Sequence, residues 1–202
     1  VEPWIKEYFK KKLPGHIFTF TPKPLNSKTL SYAKKSDIIV LFIYSKIDTD
    51  MLCELPNVQM IATTSTGYDH INKNILNNLT VCNVPGYGQN TVAEYTFALL
   101  LAVARKLINA EHKSHKGSVI HSQITGIDLK NKTLGVIGAG NIGSHVIKIA
   151  HGFGMNIIVH DTYKNTQLAK QYSFSYVSLN QLLKKSDIIT LHAPLSPSTK
   201  HM

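Results

Sequence analysis

The sequence predicts an α/β protein made of two doubly wound, parallel-sheet units, the second of them incomplete. Three observations carry this reading. Short apolar runs alternate with helix-like segments along the chain, the pattern of strands in a parallel sheet covered by helices on both faces. The alternation comes in two series joined by one long apolar helix. The second series opens on a strand that runs into a glycine-rich turn and then a helix.

The chain opens on an amphipathic helix with Trp4, Ile5, Tyr8, Phe9 and Leu13 on one face. HIFTF (16–20), DIIVLFI (37–43), VQMIAT (58–63) and TVCNV (80–84) then read as strands, with helix-like segments near 25–35, 48–54 and 70–78. Thr91 and Glu94 have the spacing of a capping box, and the helix behind them is apolar nearly all round from Val92 to Ala104. A helix without a polar face is expected to be buried on several sides, between domains or between subunits. The second series follows as TLGVIG (133–138), NIIVHD (156–161), FSYV (174–177) and DIITLH (187–192). KKSDII occurs at 34–39 and again at 184–189, which predicts the same helix-to-strand turn twice. The expected division is 1–97 and 98–202.

Both ends read as cut. The opening helix lacks the strand that a β-α-β unit places before it, and the second series has fewer strands than the roughly six of a doubly wound dinucleotide domain. The chain therefore reads as a fragment of a longer protein.

Composition removes several function classes. Net charge is +10, but the positive residues are almost all scattered lysines, Arg105 is the sole arginine, and no basic run is interleaved with aromatics. That argues for a solvated lysine surface and against a nucleic-acid partner. The longest apolar stretch, FALLLAVA (97–104), is far short of the roughly 20 residues a membrane span needs. Cys53 and Cys82 have no metal-type spacing, so no metal is expected, and a reduced, cytoplasmic setting is the simplest reading.

VIGAGNIGSHVIKIAHGFGMNIIVHD (136–161) carries the chemistry. Gly138 permits the tight turn, Gly140 lets backbone approach a pyrophosphate, and Gly143 lets helix pack on strand. The helix N-terminus that follows offers free N–H groups to phosphate. Asp161 ends the next strand, where a carboxylate accepts from the adenosine ribose and repels a 2′-phosphate, so NAD is expected rather than NADP. Hydride transfer also needs an acid–base group and a cation for the substrate. His192, His160 and His70 are the histidines nearest the predicted strand ends, and each reads as structural because none has a visible carboxylate partner. A substrate arginine is missing unless Arg105 serves.

Taken together, FIYS (42–45), IATTSTGYDHIN (61–72), VCNVPGYGQNTVAEYTFALLLAVARKL (81–107), the glycine segment from 126 to 161 and SDIITLHAPLSPSTKHM (186–202) resemble the D-isomer-specific 2-hydroxyacid dehydrogenases, most closely their D-lactate dehydrogenase branch. The resemblance implies two Rossmann-like domains, with the nucleotide domain inserted into the substrate domain. It implies Asn141 and Ile142 on the pyrophosphate, Asp161 on the ribose, and Ala193, Pro194 and Thr199 along the cofactor cleft. Thr66 and Gly67 match a loop whose amides hold the substrate carboxylate, and Tyr44 and Tyr87 match positions near the substrate. The family's Arg, Glu and His are expected beyond Met202, which leaves no catalytic residue in this chain, and His192 matches a position that is not the catalytic histidine.

The implied activity is reduction of a small 2-oxo acid, foremost pyruvate, to the D-2-hydroxy acid with NADH, in a homodimer, with residues 1–202 inactive alone. Two alternatives are an NAD-sensing, corepressor-like interaction protein of the same fold and a basic nucleic-acid-binding module.

Overall fold

The computed structural model describes residues 1–72, 79–117 and 124–202. They form two compact units, Val1–Tyr87 and Gly88–Met202.

In the first unit, α1 (Pro3–Lys12) starts on a proline, whose missing N–H costs nothing in a first helical turn. Three parallel strands follow: β1 (Ile38–Leu41), β2 (Met60–Thr63) and β3 (Thr80–Cys82), paired in the order β1-β2-β3. A short helix, α2 (Thr49–Cys53), lies between β1 and β2, capped by Asp48, whose side chain accepts from the Met51 amide at 2.9 Å. Ile61 on the central strand is fully buried, with Ile39, Leu41, Ile47, Met51, Leu55 and Val58 around it. The alternating burial of β1 leaves Ile38 and Val40 half exposed, so this face of the strand is not covered within the described residues.

Two expectations change here, and a third falls largely outside the described residues. HIFTF (16–20) pairs with no described strand; Phe18 instead packs on Phe9 of α1 at 6.1 Å and stacks on Phe20 at 5.6 Å, while Ile17 is wholly exposed. Its alternation was real, but rings rather than a ladder hold it. The segment 25–35 forms only a 3-10 turn at Leu30–Tyr32. Asn26 and Thr29 side chains take the backbone groups a helix would use: Lys28 N–H donates to Asn26 Oδ1 at 3.0 Å and Thr29 Oγ1 to the Pro24 carbonyl at 2.7 Å. Most of the helix expected at 70–78 lies outside the described residues.

The second unit begins with α3 (Gln89–Ala104) and α4 (Leu107–His115). Gly88 caps α3, so the helix starts before Thr91 and the expected capping box does not form; Glu94 accepts from Asn90 Nδ2 instead, at 2.5 Å. α3 buries Ala93, Phe97 and Ala104, and Phe97 stacks on Phe153 at 5.3 Å. Val92, Tyr95, Leu99 and Val103 stay exposed, so burial on several sides is not met within this unit.

The sheet holds β4 (Thr133–Ile137), β5 (Asn156–His160), β6 (Ser175–Tyr176) and β7 (Ile188–Leu191), all parallel, in the order β6-β5-β4-β7. The connecting helices are α5 (Asn141–Gly152), α6 (Thr166–Gln171) and α7 (Leu179–Lys185). Asn165 caps α6, and Ser178 with Gln181 forms a full capping box on α7. The first strand, β4, thus has the next strand on one side and the last on the other. Their carboxyl ends diverge there, the switch point where open α/β sheets bind ligands.

The two KKSDII segments do open strands alike. The Asp37 carbonyl accepts from Gln59 N–H at 2.8 Å, and Asp187 N–H donates to the Thr133 carbonyl at 2.9 Å, each tying the strand start to its neighbour. Only the second closes an α-helix.

Val136, Val146, Ile147, Ala150 and Val159 are wholly buried between β4, β5 and α5. Ile147→Ala is expected to lower the unfolding free energy by about 2–5 kcal/mol, read from urea titration.

Candidate functional site

β4 runs straight into the glycine turn. Gly138 has φ +90, which L side chains rarely adopt, and a Cβ there would lie 2.7 Å from the Ala193 nitrogen. A Cβ at Gly143 would lie 1.9 Å from the Gly138 carbonyl oxygen. Gly140 differs, because a Cβ there meets nothing within 4 Å. Its missing side chain serves open space in front of α5, where a phosphate would come. Gly140 also caps α5 without a side-chain acceptor, so the first N–H groups of the helix, from Asn141, Ile142 and Gly143, face the ligand side.

Asp161 stands at the end of β5. Its Oδ2 accepts from the Ala139 N–H at 2.6 Å and its Oδ1 from the Tyr163 N–H at 2.9 Å. The carboxylate thereby ties the glycine turn to the end of β5. Oδ1 also accepts from Thr162 Oγ1 at 3.5 Å, while Oδ2 has the one donor and keeps a lone pair, the capacity a ribose hydroxyl needs.

On the other side of the switch point, His192 N–H donates to the Ile137 carbonyl at 2.7 Å, and Ala193 rests on Gly138. Thr199 folds the next loop: its Oγ1 donates to the Pro194 carbonyl at 2.6 Å and accepts from the Ser196 N–H at 2.8 Å. The structure therefore brings Gly138, Gly140, Asn141, Ile142, Gly143, Asp161, Ala193, Pro194 and Thr199 to the carboxyl edge of one sheet.

The other candidates gather at the carboxyl edge of the first sheet. Thr66 and Gly67 follow β2, Tyr44 follows β1, and Tyr87 follows β3. Tyr44 is largely exposed, its ring edge-on to Phe42 at 5.7 Å. Tyr87 reaches back with its hydroxyl to the Thr64 carbonyl at 3.4 Å.

The histidines separate clearly. His160 Nδ1 donates to the Val177 carbonyl at 3.1 Å. His70 Nε2 meets Thr63 Oγ1 at 3.2 Å, within a buried hydroxyl pair of Thr63 and Ser65 at 2.6 Å. His192 Nε2 is bonded to Thr190 Oγ1. Burial lowers the pKa of His192, and it lowers that of His70 against the opposing charge of Asp69. Arg105 is bound to Asp128 at 2.8 Å, so the sole arginine is an exposed structural partner.

Sequence reasoning missed Ala139, Thr190 and Asn83. Ala139 and Asn83 act through single hydrogen bonds to residues distant in sequence, which no spacing announces, and Thr190 through a bond to His192 two positions on.

Among the described residues no group of three His, Cys, Asp or Glu could hold a metal ion, and no helix is long and apolar enough to cross a membrane.

A glycine cradle at the switch point of a parallel sheet, with an acid on the next strand, defines a Rossmann-type NAD-binding unit. The family model of the D-isomer specific 2-hydroxyacid dehydrogenase NAD binding domain matches residues 97–202. The chain belongs to that family, and its cofactor is NAD. It is 34% identical over 192 residues to the glyoxylate reductase of Aeropyrum pernix, covering 91% of this chain and 57% of that protein. Among solved structures, the D-lactate dehydrogenase from Aquifex aeolicus complexed with NAD and lactic acid superposes with a TM-score of 0.89 at 32% identity, covering 98% of this chain and 60% of that one. The pyruvate reductase of Chlamydomonas reinhardtii gives a TM-score of 0.80 at 33% identity, covering 96% and 60%. The chain thus spans a little over half the length of these relatives.

Two outcomes follow for this site. Gly143→Ala should destabilise the unit, whereas Gly140→Ala should leave thermal stability unchanged and weaken NAD binding by about tenfold or more, near 1.4 kcal/mol, in calorimetry. Burial also sets a pH dependence. A histidine with a lowered folded-state pKa contributes stability above its ordinary value of about 6.5 and loses it as pH falls, because the unfolded chain binds the proton first. Stability should therefore drop below about pH 6.5, and His192→Asn should lessen that drop in urea titrations at paired pH values.

Proposed function

We propose that the parent protein of this chain reduces a small 2-oxo acid, foremost pyruvate, to the D-2-hydroxy acid with NADH. One observation carries the reading. Each of the two sheets presents, at its carboxyl edge, a backbone loop whose amides donate to no acceptor among the described residues: one at Gly140–Ile142, the other at Ser65–Gly67. The first suits a pyrophosphate and the second a carboxylate. The lactate-bound relative and the pyruvate reductase support this substrate class.

In this reading the unit with β1–β3 is the substrate side and the unit with β4–β7 the cofactor side. Asn141 and Ile142 bind the pyrophosphate, Asp161 the ribose, and Ala193, Pro194 and Thr199 line the cofactor. NAD supplies or takes up the hydride when bound. Thr66 and Gly67 hold the substrate carboxylate through their N–H groups, with Tyr44 and Tyr87 on either flank. Neither His70 nor His192 is hydrogen-bonded to a carboxylate, and Arg105 is paired already. We therefore assign the acid–base pair and the substrate arginine to the part of the parent protein outside residues 1–202. The exposed apolar side chains of α3 support a homodimer.

The test is NADH oxidation by the full-length protein with pyruvate and with glyoxylate, with chiral analysis of the pyruvate product and light scattering for the dimer. D-lactate from pyruvate is the expected result. NAD binding without turnover of any 2-oxo acid would sink the reading and favour an NAD-dependent interaction protein. Residues 1–202 alone should bind NAD and not oxidise NADH.

A further inference from the structure

We propose that Asn83 is a positioning residue for the substrate carboxylate, acting through the peptide plane that carries the Gly67 N–H. The proposal rests on the reading of the β1–β3 unit as the substrate side.

All peptide bonds described are trans, so each carbonyl points opposite to the N–H of the next residue. The Thr66 carbonyl accepts from Asn83 Nδ2 at 2.8 Å. The Gly67 N–H belongs to that same plane and is therefore turned away from Asn83. The Ser65 carbonyl accepts from the Val84 N–H at 3.1 Å, which turns the Thr66 N–H the same way. The Thr64 carbonyl accepts from the Tyr87 hydroxyl at 3.4 Å, and the Gly67 carbonyl from Ser65 Oγ at 2.6 Å. Thr66 Oγ1 also turns back, donating to the Val84 carbonyl at 3.0 Å. Four successive carbonyls are thus held by the protein, three of them from the segment after β3. The N–H groups of Ser65, Thr66 and Gly67 donate to no acceptor among the described residues.

Such a row of oriented donors suits an oxyanion. The sole arginine of this chain, Arg105, is paired with Asp128, so within residues 1–202 the loop offers backbone N–H groups rather than a guanidinium. The Asp69 carboxylate stands close by, 3.8 Å from where a Cβ on Gly67 would stand. Binding an anion beside an acid requires that the amides not rotate, and that is what the Asn83 bond enforces. It also polarises the plane, since a carbonyl that accepts makes its own N–H a stronger donor. The role demands a donor at residue 83. Aspartate has the same shape but would set an acceptor against the Thr66 carbonyl.

The experiment uses Asn83→Ala and Asn83→Asp in the full-length protein. It reads steady-state kinetics with pyruvate, and calorimetric binding of oxamate to the enzyme–NADH complex. A carboxylate held equally in ground and transition states changes KM more than kcat. Asn83→Ala should therefore raise KM and the oxamate Kd about tenfold, with kcat within about twofold. Asn83→Asp should be worse, by about a further fivefold or more, because it adds a repulsive contact to the lost bond. The Kd of NADH should not change in either. If Asn83→Ala does not fold, Asn83→Ser gives the same reading, as its hydroxyl is too short to reach Thr66. Aspartate as mild as alanine, or a fall in kcat with KM unchanged, would overturn the Asn83 role while leaving the enzyme reading intact. No turnover of 2-oxo acids by the unsubstituted protein would overturn both.

Discussion

A methyl group at residue 143 would lie 1.9 Å from the Gly138 carbonyl oxygen, and one at residue 138 would lie 2.7 Å from the Ala193 nitrogen. The nucleotide-binding unit is arranged around these two approaches of backbone to backbone. The first lets α5 start directly above the end of β4, so its free N–H groups fall in front of the turn. The second brings the loop after β7 onto the turn from the other side. Gly135, lower on β4, repeats the pattern toward α7, where a Cβ would meet Ser186 Oγ at 2.2 Å and Leu182 Cδ2 at 2.6 Å. Along one strand, missing side chains set how closely α5, α7 and the β7 loop converge.

Asp161 acts on the same turn from the β5 side. Its bond to Ala139 N–H fixes the Gly138–Ala139 peptide plane before any ligand arrives. A carboxylate read from sequence as a ribose acceptor is thus also a brace of the glycine turn. The two roles are compatible because each carboxylate oxygen accepts more than one donor. They also explain why a short polar acid, rather than any hydrogen-bonding residue, suits the end of that strand.

Much of this was legible in the sequence because it depends on local period and local backbone. Glycine spacing, the apolar run of β4 and the position of Asp161 need no partner to be read. The same holds for DIIVLFI, VQMIAT and DIITLH, which became strands with trimmed ends. What failed depended on partners. HIFTF has the alternation of a strand, but a strand exists only with a ladder beside it, and ring contacts with α1 held it instead. Residues 25–35 lost their helix to Asn26 and Thr29, whose side chains compete for the same backbone groups. Thr91 and Glu94 had cap spacing, yet Gly88 allowed the helix to start sooner. The sites divide the same way: Thr66 and Gly67 were found by resemblance, while Asn83, which holds them, is distant in sequence and joined by one bond.

The charge of the chain fits the way both sites are built. A chain with net charge +10 would be expected to offer cations to a pyrophosphate or a carboxylate. Instead its one arginine is spent on Asp128, and both candidate anion sites are lined by backbone N–H groups. In the loop after β2, amides fixed by carbonyl bonds on their far side need no reorganisation when an anion binds, and they carry no charge to attract a competing acid. Their strength depends on orientation alone. In each loop the orientation is set by a side chain on the neighbouring strand end: Asp161 for the turn after β4, and Asn83 for the turn after β2. Parallel strands place those side chains in reach, because every carboxyl end lies on the same edge of the sheet. Sheet direction and peptide geometry thus suffice to turn backbone donors to one edge of each sheet, without a lysine or arginine of this chain at either loop's centre.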